Sequence, residues 1–238
     1  MEFARNDADA VHRYVVGKLG YREGNIVDLR DATLSQLNSS FGTAGNHKGR
    51  LFDYVRAGKS DVIVFYSGHG VPGLHDRRSY LLPVDADPNR AELDGYSLDT
   101  LLGNFAKIPA RSMTIYIDAC FSGESKNGML VMATSGITVE ARIPNVSKRM
   151  VIVTAAQSDQ FASWDQNTKH GLFTKHLLAA LRGKADTSDY GNGDGKVTLA
   201  ELHSYLDEEM TYEARRLWGR DQKASVQGDQ NTVLATVH

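Results

Sequence analysis

The chain contains one cysteine, and it stands in Asp118-Ala119-Cys120-Phe121-Ser122-Gly123, directly after an apolar run. Upstream, a second apolar run ends in Ser67-Gly68-His69-Gly70. A free thiol of pKa about 8.5 is only a few per cent thiolate at neutral pH, so a cysteine nucleophile needs a partner. His69 can be that partner, stabilising the thiolate or taking its proton during attack, and then protonating a leaving amine. Attack on a carbonyl also creates an oxyanion, for which the backbone N–H groups of Gly70 and Cys120 are natural donors. The bland reading of Cys120 is a buried small hydrophobe, as most free cysteines are. The strand-terminal Ser67-Gly68-His69-Gly70 favours the nucleophile.

Such a pair works only if the elements that carry it converge. Residues 61–66, 113–117 and 150–154 are continuous apolar runs bounded by turn residues, the pattern of strands covered on both faces. Residues 25–29 read as a short strand, and 80–84 as a peripheral one because of Pro83. Val11, Tyr14, Val15 and Leu19 recur at helical spacing, with Asn6 or Asp7 available as N-cap and Gly20 as stop. Leu51, Phe52 and Val55 mark the end of another helix, and Leu98, Leu101, Leu102 and Phe105 a further one. The last helical regions cover 172–181 and 199–218. Strands alternating with helices imply an α/β fold, a mostly parallel sheet flanked by helices. Chemistry in such sheets gathers at the carboxyl ends of the strands, where His69 and Cys120 both lie. The stretch 123–148, rich in Gly, Ser, Lys and Asn, is long for a connection and reads as a mobile surface loop. It is either a variable insertion or a segment that covers the site or is cut.

Composition removes several classes. At 238 residues, 41% hydrophobic and 24% charged, the chain has ample material for one core. A net charge of −2 gives no reason to expect nucleic acid or an anionic membrane as partner. No apolar stretch approaches the roughly 18 residues that span a bilayer, and the N-terminus lacks the regions of a signal peptide. A single cysteine permits no internal disulfide and fits a reducing, cytoplasmic setting. No cysteine pair exists for a structural zinc site.

The run Tyr66-Ser67-Gly68-His69-Gly70 followed by Ile117-Asp118-Ala119-Cys120-Phe121-Ser122-Gly123 resembles the caspase-like cysteine peptidases, and most of all their metacaspase and orthocaspase branch. Arg5-Asn6-Asp7-Ala8, Leu82-Pro83-Val84-Asp85, Ala155-Ala156-Gln157-Ser158-Asp159-Gln160 and His170-Gly171-Leu172-Phe173-Thr174 resemble family landmarks in the expected order. The resemblance implies a caspase-like (caspase-hemoglobinase) three-layer fold over 1–238, with 1–122 like a large subunit and 149–238 like a small one. It also implies peptide hydrolysis by a Cys120/His69 dyad without an organic cofactor. Asp118, two residues before Cys120, should project to the same face as the nucleophile. In the metacaspase branch the positions matching Asp7, Ser67 and Asp118 line the pocket for a basic residue. Buried carboxylates are costly unless they meet a cation, and a guanidinium offers bidentate pairing. The expected substrates are therefore proteins or peptides cut after Arg, with Lys second. The competing readings are a helix N-cap for Asp7 and a turn residue for Ser67.

Self-cleavage would fall at Lys126, Arg142, Lys148 or Arg149. Some metacaspases need calcium held by loop aspartates, for which only Asp94 and Asp76 could stand in here. Separately, Asn192 to Thr198 leading to Glu201 resembles an EF-hand loop, with Asp189, Asn192, Asp194 and Glu201 as weak metal candidates. A glycine-rich turn capping the next helix is the favoured reading of that stretch. The family's first strand is expected to be missing, since the chain begins at Met1 almost on the first helix. Residues 231–237 or a second chain would then fill the gap. The alternative function is a catalytically silent regulatory or interaction module. A thiol esterase is disfavoured, because no Gly-x-Cys-x-Gly elbow is present.

Overall fold

The computed structural model describes residues 2–122, 124–125, 128–129, 149–157, 160 and 162–237. Helix α1 (Ala4–Gly17) buries Ala10, Val11 and Tyr14, the stripe its apolar spacing demands. Helix α2 (Leu34–Phe41) opens on a capping box between Thr33 and Gln36, and α3 (Arg50–Tyr54) is one short turn. Strand β1 (Asp61–Ser67) leads into a small antiparallel sheet of β2 (Gly70–Pro72), β3 (Ser79–Leu81) and β4 (Tyr96–Ser97). Helix α4 (Ala91–Asp94) precedes β4, and α5 (Leu98–Phe105) precedes β5 (Ser112–Asp118). Of the expected loop 123–148, only β6 (Glu124–Ser125) and β7 (Gly128–Met129) are described, paired as an antiparallel hairpin. Strand β8 (Met150–Thr154) is followed by the hairpin of β9 (Trp164–Asp165) and β10 (His170–Gly171), which runs straight into α6 (Leu172–Leu181). Then come β11 (Lys196–Thr198), α7 (Leu199–Tyr205), a π-helical turn at Leu206–Met210, α8 (Thr211–Trp218), β12 (Ser225–Gln227) and β13 (Val233–Thr236).

The main sheet has the order β1-β5-β8-β12, with β1, β5 and β8 parallel and β12 antiparallel at one edge. Alternation along the strands divides the core in two. Ile115, Ile117, Met150 and Ile152 face α2 and α5, while Tyr116, Val151 and Val153 face α1, α6 and α7. Register brings Ser67 opposite Asp118 and Ile117 opposite Thr154, so the three parallel strands end level. The chemistry-bearing residues follow from those ends. Among the described residues, no helix is long and apolar enough to cross a membrane.

Several expectations change. Residues 25–29 form no strand: Glu23–Asn25 is a 3-10 turn, and the segment is held to α1 by side chains instead. Asp28 receives His12 and Arg30, and Arg30 also pairs with Asp9. Strand β1 is covered on both faces, Ile63 and Phe65 packing on one core cluster and Val62, Val64 and Tyr66 on the other, but as the edge strand beside β5 it leaves most of its residues half-buried. The strand over 80–84 shrinks to β3, leaving Pro83 outside the ladder. Within 231–237, β13 pairs with β11 and adds nothing to the main sheet. Asp7 is no N-cap: Phe3 holds that place, and Asp7 lies inside α1 with its side chain fully buried.

Candidate active site

Two strand ends meet through backbone contacts. Gly68 N–H donates to the Asp118 carbonyl at 3.2 Å, and the chain then turns through His69 into β2. Gly70 has no room for a side chain: a Cβ there would lie 2.7 Å from the Phe121 ring and 2.8 Å from the Cys120 carbonyl oxygen. The His69-Gly70 segment is thus packed directly on Cys120-Phe121. The His69 carbonyl accepts from the Tyr66 hydroxyl at 2.8 Å and from Leu82 N–H at 2.9 Å, which pins its backbone. Cys120 is a half-buried thiol, in no disulfide, between the buried Ala119 and Phe121.

Burial pushes His69 down to about 4 and pushes the Cys120 thiol up, the latter opposed by the backbone at Ala162. At neutral pH the resting pair is therefore uncharged, a thiol and a free-base imidazole. In general an uncharged thiol and imidazole can react by general-base activation during attack, without a preformed ion pair.

Next to the pair, the α1 and α6 face of the sheet holds two carboxylates, Asp7 and Asp118, each with 0% exposure. Asp118 Oδ2 accepts from Thr174 N–H at 3.2 Å and from the Thr174 hydroxyl at 2.5 Å. Thr174 lies in the first turn of α6, whose N-cap Gly171 offers no side chain, so Asp118 caps that helix from another strand. Asp118 Oδ1 is buried and has no hydrogen-bond partner among the described residues. Asp7 Oδ1 accepts from His170 Nδ1 at 2.9 Å and Gly171 N–H at 3.1 Å, and its Oδ2 from the Ser67 hydroxyl at 2.9 Å. Gly171 is squeezed between the two acids, since a Cβ on it would lie 2.1 Å from Asp118 Oδ2. Burial raises Asp7, against His170, Ser67 and Gly171; burial and then the charge of Asp7 push Asp118 up to about 7. Two like charges out of water resist joint ionisation unless a cation joins them.

The remaining candidates lie elsewhere. Lys126, Arg142 and Lys148 fall outside the described residues, while Arg149 is exposed just before β8, with its guanidinium 3.5 Å from the Ala106 and Ala110 carbonyls. Asp76 accepts from Arg78 N–H and the Tyr80 hydroxyl, and Asp94 from Asp87 N–H, so neither turns toward a shared centre. In the glycine-rich loop, Glu201 accepts from Asn192 N–H and Thr198 N–H and closes a capping box on α7. Asp194 accepts from Lys196 N–H, and Asp189 is exposed. Among the described residues no group of three or more His, Cys, Asp or Glu side chains is arranged to hold a metal. The site residues that sequence reasoning left without a role are His170, Gly171 and Thr174. Their one signal was the run His170-Gly171-Leu172-Phe173-Thr174, which carries the family resemblance.

A nearly parallel helix-flanked sheet, with a histidine turn packed on a cysteine turn at its carboxyl edge, defines an α/β cysteine hydrolase of caspase-like architecture. Comparison with known families agrees: the caspase-domain peptidase model matches residues 2–234. The chain belongs to this caspase-domain family of cysteine-type peptidases. It is 30% identical over 176 residues to Metacaspase-1 of Eremothecium gossypii, a match covering 66% of this chain and 37% of that protein. The chain thus spans little more than a third of the curated relative it matches. The crystal structure of caspase-1 from Spodoptera frugiperda superposes with a TM-score of 0.59 at 15% identity, covering 98% of this chain and 81% of that one. That likeness concerns the fold.

Proposed function

We propose that the chain is an endopeptidase that hydrolyses peptide bonds after Arg, and less readily after Lys, with Cys120 as nucleophile. His69, unprotonated at neutral pH, takes the thiol proton as sulfur bonds to the scissile carbonyl carbon. The oxyanion is stabilised by the N–H groups of Gly70 and Cys120. His69 then returns the proton to the leaving amine as the C–N bond breaks. Water, deprotonated by the same imidazole, hydrolyses the thioester and restores the thiol.

The observation that carries the specificity is the buried Asp118 Oδ1, which has no hydrogen-bond partner among the described residues and lies near a second buried carboxylate. An incoming guanidinium supplies the missing charge and donors at once. The test is turnover of matched fluorogenic peptides ending in Arg, Lys or Asp, with calcium or with a chelator. Arg is expected first, Lys second and Asp not at all. Cys120→Ala should abolish turnover, and Asp118→Asn should lower kcat/KM for the Arg peptide by about 100-fold or more. Turnover after Asp would overturn the acidic-pocket reading.

A further inference from the structure

The two pocket carboxylates are built alike. Each has one oxygen tied down by the junction of β10 and α6: His170 Nδ1 and Gly171 N–H hold Asp7 Oδ1, while Thr174 holds Asp118 Oδ2 through its N–H and its hydroxyl. The other oxygens are less tied and are the ones left for a ligand: Asp7 Oδ2, which accepts from Ser67 and shares the Gly171 N–H at 3.3 Å, and Asp118 Oδ1, which has no hydrogen-bond partner among the described residues. Carboxylates that repel each other in a dry site swing apart unless each is clamped. A planar guanidinium presents donors at a fixed spacing and needs fixed acceptors, whereas a lysine ammonium is a compact charge that tolerates looser ones.

We infer that His170 and Thr174 are positioning residues that set the preference for arginine over lysine, by holding the two pocket aspartates at the spacing a guanidinium requires. This rests on the reading of the pocket as the seat of the substrate's basic side chain. Neither residue touches the scissile bond, so their effect falls on substrate binding rather than on the chemical step.

The experiment is steady-state kinetics of the full chain and its variants on matched Arg and Lys peptides, with iodoacetamide labelling of Cys120 as a readout blind to the pocket. His170→Ala and Thr174→Val should each raise KM for the Arg peptide about tenfold with kcat nearly unchanged. KM for the Lys peptide should rise less than about threefold, so the Arg/Lys ratio falls. Thr174→Ser and His170→Gln keep a donor and should restore most of that ratio; they also serve if an Ala or Val variant fails to fold. Labelling of Cys120 should run at the parental rate. An unchanged Arg/Lys ratio in His170→Ala and Thr174→Val, with the parent still cutting after Arg, overturns the positioning role and leaves the pocket reading intact. A parent that labels normally yet cuts after neither Arg nor Lys overturns the pocket reading, and this inference with it.

Discussion

The β9–β10 hairpin separates two acidic sites that meet burial in opposite ways. On one side Asp165, with its side chain 4% exposed, receives Lys175 Nζ at 2.7 Å together with the N–H groups of Asn167 and Thr168. Lys175 also bridges both oxygens of Glu213, whose Oε2 lies 2.7 Å from His176 Nε2. Burial alone would raise Asp165, yet Lys175 and those amides hold it at about 2. On the other side Asp7 accepts from His170, the Ser67 hydroxyl and Gly171 N–H, and burial carries Asp118 up to about 7. The first site is a closed ion-pair network. Among the described residues no lysine or arginine pairs with Asp7 or Asp118, and the proposed binding of a basic side chain rests on that difference.

Removing the internal cation should break the contrast most strongly. Lys175→Met leaves Asp165 and Glu213 as buried acids without a counter-charge, and should cost about 3–5 kcal/mol in urea unfolding at pH 7. A change within experimental error would mean that the network contributes little to stability.

The pocket should respond in the opposite sense. Asp118 is raised in the folded chain, so its stabilising protonated form is fully present below the ordinary carboxylate pKa near 3.8 and is lost as pH rises through about 7. Asp165 is lowered, so its contribution is present above that ordinary value and is lost as pH falls through about 2. Asp118→Asn has no proton to lose and should therefore be more stable than the parent at pH 8 by about 2 kcal/mol, with little gain near pH 4. Equal stability of the two proteins at pH 8 would contradict an unsatisfied buried acid.

The smallest effect sharpens the comparison. Benzamidine, an amidinium cation, should raise the Tm of the parent by a degree or two and leave Asp118→Asn unmoved. The same shift in both proteins would place its binding outside this pocket.

The strands at 113–117 and 150–154 and the helix at 172–181 were legible because their residues are apolar in runs or at helical period, and burial on the sheet follows directly. Strand β12 was missed, and residues 25–29 were misread, because strand formation depends on a neighbour that a short segment does not name. For the same reason the sequence could suggest a strand within 231–237 but not that it pairs with β11.

The site divides along the same line. Cysteine and histidine at the ends of apolar runs were readable from residue type and order, as was the acid two positions before the cysteine. The hydrogen bonds on the two acids were not, because Asp7 meets His170 across 163 positions and Asp118 meets Thr174 across 56. Nor did residue type tell Asp165 from Asp118, since both are aspartates. One became a held anion and the other a strained acid because α6 turns Lys175 toward the first and Thr174 toward the second. Local order set the candidate reactive groups and the period of the elements. The charge each group carries depends on its neighbours in space, and only the folded chain supplies those.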